Sequence, residues 1–516
     1  MRLSAKSHNF CEIWLENEPF CLVVWKNVAI FADQNNDNKM DRLIGRAREI
    51  AELERCMASE RSEFVVVAGR RRIGKTFLVN TSLHNRITLS YVGSHKSPKT
   101  RQLQKFAQSL LRAGLTDVQP QLSSWYDAFD ALEVLLPKVS SRKKVLFFDE
   151  MPWIDTPGSE FVAALEDFWN GWASLRDDIV LIACGSATSW LVDQLVENQG
   201  GLHNRITSRI YLQPFNLCEC RQYAESRQCP WDEYQIAQMY MYIGGIPFYW
   251  SLLDLSQGVA ENVDALFFNP DARLKGEFQE LYQVLFRDAE PYIDIVRLLA
   301  GRREGCTRQE ITEALHSNGG TLTKRLMNLE RCNFIMAQCP IGNKVKGTIY
   351  RLCDFYTLFY LQFVEAHSQR VSHHWISQIT SPRVAAWQGL TFELIGLTHV
   401  DQIRFALGIV GMRVEASAWR SVKQPDGRMA QVDLVVKRAD HITHLCEFKF
   451  VNEPFVITAE YAMRLRERMS VYREQTRTRD TLMTTFVTTH GIHPGQNASV
   501  VQGDIRLIQL FQPLPW

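Results

Sequence analysis

The stretch from Gly69 to Thr76 has the residue types and spacing of a phosphate-binding loop. It fits the pattern G-x-x-x-x-G-K-[ST]. Its glycines let the backbone turn N–H groups toward a polyphosphate, and Lys75 would reach the β and γ phosphates. The hydroxyl of Thr76 would be a ligand of Mg²⁺. The pattern predicts a nucleoside triphosphate site formed by Gly69, Arg70, Arg71, Arg72, Ile73, Gly74, Lys75 and Thr76.

The segments on either side of this loop are typical of a strand and a helix. Residues 64–68 are apolar and mostly β-branched, which indicates a buried parallel strand. Residues 77–80 have the character of a helix start. A glycine loop between a strand and a helix N-terminus is the context in which the pattern binds phosphate.

A second apolar strand, residues 145–148, ends in the two carboxylates Asp149 and Glu150. Carboxylates at the end of a buried strand are typical of Mg²⁺-dependent phosphoryl transfer. We expect Asp149 to hold Mg²⁺, directly or through water. Glu150 is placed to orient and deprotonate the attacking water.

Polar residues after a third strand, residues 179–184, provide further candidates. We expect Ser186 to contact the γ-phosphate or the attacking water, with Thr188 as the second candidate. The alternative is that Ser186 only caps the next helix. Near the following strand, Arg205 or Arg209 would neutralise transition-state charge, and the alternative is that both are simply solvated.

These motifs, in this order, resemble the archaeal-type AAA+/STAND ATPases over about residues 41–365, and the tail resembles that family's usual C-terminal extension. The resemblance implies that Gly45 and Arg46 lie at the adenine and that Pro247 lies in a helical lid close to the nucleotide. It favours ATP over GTP. The residues that carry it are Gly45-Arg46, Glu49, the phosphate loop, Asp149-Glu150, Gly185-Ser186, Arg205 and Gly244-Gly245-Ile246-Pro247.

Residues 285–370 are predicted to form a winged helix-turn-helix. Thr307 to Glu310 fits a capping box before a helix, and leucines at helical spacing follow. Two strands are expected around a basic wing that holds Lys344 and Lys346. The wing and the helix that ends in Arg331 would contact DNA phosphates. The alternative is that this domain only regulates the ATPase.

Near the C-terminus, two adjacent strands carry acids and a lysine. Asp433 lies in the first strand, while Glu447 and Lys449 lie in the second and share one face because side chains alternate. Two acids and a lysine arranged in this way can hold Mg²⁺ and activate a water against a phosphodiester. Glu393, in a preceding helix, is a candidate third metal ligand.

This second constellation resembles the PD-(D/E)xK nuclease superfamily, although Val432 stands where that family usually has a proline. The resemblance implies a restriction-endonuclease-like α/β fold in which Asp433, Glu447 and Lys449 are catalytic. Two functions stay open: DNA cleavage, or a nuclease fold that only binds DNA or protein. The arginines from 464 to 479 form either a helix that follows a phosphate backbone or an ordinary solvated helix.

Composition limits the partners of the chain. With 516 residues we expect about three or four domains, and a net charge of +1 gives no global attraction to nucleic acid or membrane. No apolar run approaches the ~20 residues that span a bilayer. The twelve cysteines are scattered without zinc-ligand spacing. Reduced thiols and the lack of a spanning segment indicate a cytoplasmic protein.

The predicted fold class is therefore α/β: a P-loop NTPase (AAA+/STAND) core with a helical lid, a winged helix and a nuclease-like domain. The expected cofactors are ATP and Mg²⁺. The expected partners are DNA, further copies of the chain or a regulatory protein, but no membrane. The predicted boundaries are 1–39 for an appendage or a packed hairpin, 40–215 for the core, 216–284 for the lid, 285–370 for the winged helix and 385–516 for the nuclease-like domain.

Overall fold

The computed structural model describes most of the chain from residue 43 onward. The described residues are 43–186, 188–196, 201–202, 204–286, 288–302, 304–317, 319–342, 347–366, 374–421 and 429–515, and only the backbone is described at 188, 189 and 196. The expected appendage over 1–39 and the wing residues Lys344 and Lys346 lie outside this part. Within the described ranges, no helix is long and apolar enough to cross a membrane.

Parallel strands form the central sheet of the first module, which we call the core module (residues 44–212). They are β1 (Glu63–Ala68), β2 (Ile87–Val92), β3 (Lys144–Asp149), β4 (Ile179–Gly185) and β5 (Ser208–Tyr211), in the order β2-β3-β4-β1-β5. β1, β3 and β4 are buried along their whole length, as their apolar sequences predict. Because the strands are parallel, the residues after their carboxyl ends meet at one edge of the sheet.

Helices pack on this sheet through a core rich in aromatic side chains. Phe64 of β1 lies 4.9 Å from Trp169, measured between ring centroids, and Phe148 of β3 lies 6.2 Å from Phe106. The same hydrophobic cluster includes Trp125. The helices of the module are α1 (Ala47–Ala58), α2 (Lys75–Ser82), α3 (Lys99–Arg112), α4 (Trp125–Leu135), α5 (Phe161–Gly171) and α6 (Thr188–Leu191).

The next module, residues 216–285, is helical, and we call it the lid module. It contains α7 (Leu217–Ser226), α8 (Glu233–Ile243), α9 (Pro247–Trp250), α10 (Val259–Val263) and α11 (Glu277–Leu285). Side chains cap two of these helices: Asn216 and Glu219 form a capping box at α7, and Asp232 and Gln235 form another at α8. The two glycines between α8 and α9 make the tight turn that the sequence predicts.

The middle module, residues 290–359, combines helices with a small antiparallel sheet and ends in a short helix. The elements are α12 (Glu290–Ala300), β6 (Cys306–Thr307), α13 (Arg308–Leu315), α14 (Gly320–Arg331), β7 (Ile335–Gln338) and β8 (Ile349–Leu352), with the strand order β6-β8-β7. The capping box from Thr307 to Glu310 is confirmed. The identification of this module as a winged helix stays a prediction.

The C-terminal module, residues 382–511, follows the short helix α15 (Phe355–Phe359). It contains α16 (Pro382–Thr398), α17 (Val400–Ala406), β9 (Val414–Arg420), β10 (Gln431–Arg438), β11 (Ile442–Lys449), α18 (Ala459–Thr476), β12 (Thr481–Thr488) and β13 (Gly503–Arg506). The sheet order is β13-β12-β11-β10-β9. β9, β10 and β11 are antiparallel, whereas β11, β12 and β13 are parallel.

Aromatic contacts join the lid module to the C-terminal module. Tyr242 of α8 stacks on Trp387 of α16 with 5.5 Å between centroids, and Tyr234 stacks on Phe450 at 4.7 Å. These rings lie within the single compact unit formed by residues 44–516. The C-terminal module is therefore packed on the lid rather than tethered by a free linker.

Substitution of Gly245 tests the tight turn of the lid. A Cβ atom there would lie 1.8 Å from the carbonyl oxygen of Phe215, whose N–H also donates to the Gly245 carbonyl at 2.6 Å. Because backbone must move to relieve this overlap, Gly245→Ala should lower the free energy of unfolding by about 3 kcal/mol. Equilibrium chemical unfolding measures it. In Gly276→Ala, where the new Cβ meets nothing within 4 Å, the change should be under about 1 kcal/mol. Equal effects would contradict the packing described.

Candidate functional site

The phosphate loop connects β1 to α2 and has the backbone geometry that its glycines predict. Gly69 has a φ of +149°, Gly74 of +86°, and Arg72 also lies in the left-handed region at +74°. A Cβ on Gly69 would lie 2.5 Å from the Cδ1 atom of Ile73. The loop therefore requires glycine at position 69 on both conformational and steric grounds.

The ammonium group of Lys75 is held at the mouth of this loop. Its Nζ atom donates to the carbonyl oxygens of Gly69 and Arg70, both at 3.0 Å, and the residue is buried. These two hydrogen bonds hold the ammonium group against the backbone at the start of the loop. This is the placement that a β or γ phosphate requires.

Thr76 and Asp149 meet at the edge of the sheet, as predicted. The Thr76 hydroxyl donates to Oδ2 of Asp149 at 2.7 Å, and Oδ1 of Asp149 accepts from the backbone N–H of Glu150 at 2.9 Å. A hydroxyl and a carboxylate are the oxygen donors that Mg²⁺ takes beside phosphates. The donor set therefore fits the magnesium ion expected from the sequence.

Glu150 and Ser186 also come together. Oε2 of Glu150 accepts from the Ser186 hydroxyl at 3.0 Å and from its backbone N–H at 3.3 Å. Glu150 has a φ of +46°, an uncommon conformation for a residue other than glycine. Ser186 is thus in contact with the carboxylate predicted to activate water. The side chain of Thr188, the second candidate, lies outside the described residues.

Two arginine side chains of the loop, those of Arg70 and Arg72, pair with acids outside the loop. The guanidinium of Arg70 is buried and donates to both oxygens of Asp354, at 2.6 and 3.5 Å, and it lies 4.8 Å above the ring of Phe334. Burial alone would lower the pKa of Arg70, but Asp354 outweighs it and keeps the pKa above its usual value. The predicted nucleotide role of Arg70 is therefore limited to its backbone.

Arg72 is likewise turned toward the lid module. It pairs with Glu277 of α11 at 2.6 Å, and its guanidinium lies 4.3 Å from the centroid of the Phe248 ring. The backbone N–H of Phe248, the residue after Pro247, donates to the Arg72 carbonyl at 3.3 Å. This contact brings the Pro247 turn against the phosphate loop. Arg71 has a buried Nη1 atom that lacks a hydrogen-bond partner among the described residues.

A cavity of about 810 Å³ lies beside the loop, where all the modules meet. Gly45, Arg46 and the glycines of the lid turn line one side, and Asp354 lies on another. Arg46 is buried against the ring of Phe215 at 5.0 Å, and its Nη2 atom has no hydrogen-bond partner within the described part of the chain. The structure thus brings Gly45 and Arg46 to a cavity at the rim of the nucleotide loop.

The C-terminal module supplies part of the wall of this cavity, which the sequence did not indicate. His399 is buried, and its Nε2 atom accepts from the backbone N–H of Leu217 at 3.0 Å at the start of α7. Burial lowers the pKa of His399 to about 4, so the ring is neutral at pH 7. A neutral imidazole of one module therefore caps a lid helix.

Arg205 is not near the phosphate loop. It is exposed and precedes β5, and Thr207 donates its N–H to the carbonyl of Phe64 near the start of β1. The loop follows the opposite end of β1. Arg209, the alternative, is exposed on β5 opposite Val66. Neither arginine reaches the loop of its own chain in this arrangement, because a chain-order argument does not reveal which sheet edge a residue occupies.

Arg331, expected at DNA, pairs instead with the core module. Its Nη1 atom lies 2.9 Å from Oδ1 of Asp193, and Lys324 approaches the other oxygen of this carboxylate at 3.7 Å. Asp193 follows α6, which begins two residues after Ser186. The helix predicted to contact DNA phosphates therefore contacts the segment that follows Ser186.

The predicted nuclease residues lie together on neighbouring strands. Glu447 of β11 is buried, and its Oε1 atom accepts from Nζ of Lys449 at 2.7 Å and from the hydroxyl of Tyr461 at 2.5 Å. Its Oε2 atom accepts from Arg468 of α18. Oδ2 of Asp433 accepts from the backbone N–H of Phe448 at 3.2 Å. Tyr461 and Arg468 are site residues that the sequence reasoning missed, although their spacing of two helical turns places them on one face.

The pKa values of the two carboxylates in this cluster are shifted in opposite directions. Burial, together with the charges of Glu447 and Glu393, raises the pKa of Asp433 to about 7. Burial also opposes the ionisation of Glu447, but Arg468 and Lys449 outweigh it and hold the pKa of that carboxyl below its usual value. Among the described residues, no group of three or more acids, histidines or cysteines could hold a metal ion. The assignment of Glu393 as a third ligand stays a prediction.

Comparison with known proteins finds a family match for the part of the chain that contains the phosphate loop. A family model for an ATPase domain found predominantly in Archaea matches residues 43–253. That range includes the phosphate loop, Asp149, Glu150, Ser186 and the lid turn. An uncharacterized protein of Methanocaldococcus jannaschii is 24% identical over 324 residues, which are 62% of this chain and 68% of that protein. Residues 43–253 are therefore similar to an ATPase domain that is found predominantly in Archaea.

Several solved structures are similar at low identity. A Walker-type ATPase of Pyrococcus abyssi has a TM-score of 0.46 and 18% identity, and the match covers 64% of this chain and 99% of that one. The ORC2 protein of Aeropyrum pernix has a TM-score of 0.39 at 16% identity, and the match covers 63% of this chain and 95% of that one. A STAND protein of Pyrococcus horikoshii has a TM-score of 0.30 at 18% identity, and the match covers 72% of this chain and 52% of that one. The assignment of the ATPase domain depends on the family match and the geometry, not on these similarities.

The Arg70–Asp354 pair should contribute strongly to stability. Arg70→Ala leaves the carboxylate of Asp354 buried without its cationic partner, which should lower the free energy of unfolding by about 3–5 kcal/mol. The matched control is Arg297→Ala, because Arg297 pairs with Glu365 at 2.8 Å with both side chains more than a third exposed. That loss should be under about 1 kcal/mol. Chemical unfolding of both variants decides, and a small effect of Arg70→Ala would show that the pair is not a structural contact.

Proposed function

We propose that the protein binds and hydrolyses ATP and that the nucleotide state controls its C-terminal module, a Mg²⁺-dependent nuclease-like domain that acts on DNA. The observation that carries the ATPase half is the hydrogen bond from Thr76 to Asp149 beside Lys75. It places a hydroxyl, a carboxylate and an ammonium around one phosphate loop. The family match over residues 43–253 supports the same activity.

Each residue of this site has a distinct role in hydrolysis. Lys75 neutralises the β and γ phosphates, and Thr76 and Asp149 would hold Mg²⁺. Bound there, Mg²⁺ would neutralise negative charge on the phosphates. Glu150 orients the attacking water and takes its proton as the water oxygen bonds to the γ-phosphorus. The bond from that phosphorus to the bridging oxygen breaks, which releases ADP and phosphate.

The cavity at the loop rim is our proposed site for the adenine base. Arg46 supports this, because a buried guanidinium with an unpartnered nitrogen offers a hydrogen bond to a ligand. The lid turn with Pro247 closes the same rim through the contact of Phe248 with Arg72. ATP binding would therefore draw the lid module against the phosphate loop.

The route from the nucleotide to the other modules begins with two ion pairs. Arg70 binds Asp354, which caps α15 by accepting from the Thr357 N–H at 3.2 Å. Asp193, after the Ser186 segment, holds Arg331 of the middle module. A shift of the loop or of Ser186 on hydrolysis would therefore reach the middle module at two separate points.

The middle module in turn contacts the edge strand of the C-terminal sheet. Arg420 of β9 pairs with Glu304 at 3.0 Å and with Glu310 at 3.5 Å. The N–H of Gly342 donates to Glu415, also in β9, at 3.1 Å. These polar contacts complete a path from the phosphate loop to the proposed nuclease domain.

In the C-terminal module, Asp433 and Glu447 are oxygen donors on adjacent strands, the type that Mg²⁺ takes. The ion would activate water and polarise the scissile phosphate. Lys449 would hold a negative phosphate oxygen or the attacking water. These two carboxylates would supply two of the ion's ligands, and water and the phosphate itself would supply the others. The ion would compete for Glu447 with Lys449 and Arg468, which are bonded to it in this structure.

Two substitutions separate binding from hydrolysis. Lys75→Ala removes the charge that meets the phosphates and should weaken ATP binding roughly 100-fold, which calorimetric titration measures. Glu150→Gln keeps the shape of the site but removes the base, so binding should persist while phosphate release falls by about 10²–10⁴-fold.

The control for these variants is Lys138→Ala, at an exposed lysine away from the loop, which should match the wild type in both assays. Unchanged ATP affinity in Lys75→Ala would contradict the nucleotide site. Wild-type hydrolysis by Glu150→Gln would remove the assigned role of that carboxylate.

A further inference from the structure

We propose that Arg468 acts as an internal cation on Glu447 and moves to a nucleic-acid phosphate when substrate enters, which frees Glu447 to bind metal. Metal and nucleic acid would then bind cooperatively. This inference rests on the proposed nuclease function, and it names Arg468 as the residue that couples the two ligands.

Both oxygens of Glu447 are engaged in the structure. Lys449 and Tyr461 donate to Oε1, and Arg468 donates to Oε2. A divalent ion needs a carboxylate oxygen at about 2 Å and repels a guanidinium at that distance. A divalent ion bound to Oε2 would lie beside the Arg468 guanidinium, and the two positive charges would repel each other while Arg468 stays in place.

Arg468 is the donor whose departure costs the site least. Lys449 and Tyr461 share Oε1, so they continue to orient the carboxylate when Oε2 is freed. Exposure does not distinguish the two cations, since 26% of the Arg468 side chain and 28% of the Lys449 side chain are exposed. Arg468 differs because it is the donor on Oε2, and it reaches this oxygen from α18 at the boundary between the carboxylate and solvent. A phosphodiester reaching this boundary offers the planar fork a partner of matching geometry.

The same helix carries a second arginine one turn earlier. Arg464 has 61% of its side chain exposed and lies 4.0 Å from Glu460, and its guanidinium is 5.1 Å from the ring of Tyr461. Positions 464 and 468 lie one turn apart on the same face of α18. Of these two arginines, Arg468 donates to Glu447, whereas Arg464 lies against Glu460 and Tyr461. Arg464 is thus a matched control with the same charge on the same surface.

Mn²⁺ binding to the full-length protein, followed by electron paramagnetic resonance, tests this proposal. Mn²⁺ binding is assigned to the Glu447 site only if Glu447→Gln abolishes it. This criterion separates it from Mn²⁺ bound at the Thr76–Asp149 site. Without DNA, Arg468→Ala should bind Mn²⁺ about 10-fold more tightly than the wild type, and Arg464→Ala should match the wild type. A short phosphorothioate DNA duplex should raise the Mn²⁺ affinity of the wild type by a similar factor but leave Arg468→Ala unchanged.

Arg468→Lys guards against a merely structural effect, because it keeps a positive charge without the planar fork. It should bind Mn²⁺ as weakly as the wild type in the absence of DNA. Equal Mn²⁺ affinities of wild type and Arg468→Ala, with Glu447-dependent binding in both, would overturn the role of Arg468 and leave the nuclease proposal intact. Absence of Glu447-dependent Mn²⁺ in every variant, with and without DNA, would overturn the nuclease function itself.

Discussion

A guanidinium taken out of water must keep a partner, and Arg70 of the phosphate loop keeps Asp354, 284 residues further along the chain. Because Asp354 also caps α15, the loop cannot change shape without disturbing the end of the middle module. The stacking of Arg70 on Phe334 and the Arg72–Glu277 pair add contacts from the same loop. The nucleotide site is therefore built jointly by the core, lid and middle modules.

The C-terminal module also contains a buried carboxylate paired with an arginine, but this arginine is less buried. At Glu447, as at Asp354, a buried carboxylate is neutralised by arginine, but Arg468 remains partly exposed whereas Arg70 is buried. The first pair suits a permanent structural joint and the second suits an exchangeable one. His399 and the stacked rings of Tyr242 and Trp387 hold the C-terminal module on the lid without any charge. Between the same two modules, Arg221 adds a charged contact by donating to the carbonyl of Phe511 at 2.9 Å.

The sequence predicted the features that arise from local pattern. The buried strands, the phosphate loop and the meeting of Thr76 with Asp149 follow from short motifs, because parallel strands present their carboxyl ends at one edge. It could not predict the partner of Arg70, since three successive loop arginines look alike and Asp354 lies in a distant segment. Arg464 and Arg468 were equally indistinguishable, because only the packing of α18 decides which one faces Glu447. The sequence also could not reveal that Arg205 lies near the start of β1, at the sheet edge opposite the phosphate loop, because chain order does not determine the edge.

The central claim is that nucleotide binding at the loop changes the middle module through the contact between Arg70 and Asp354. Amide hydrogen exchange of β8 and α15, with Mg²⁺ and a non-hydrolysable ATP analogue or without them, tests it most directly. The account predicts that the analogue changes protection across Ile349–Leu352 and Phe355–Phe359 in the wild type but not in Asp354→Asn, which still binds the analogue. Unchanged protection of both segments in analogue-bound wild-type protein would contradict the account.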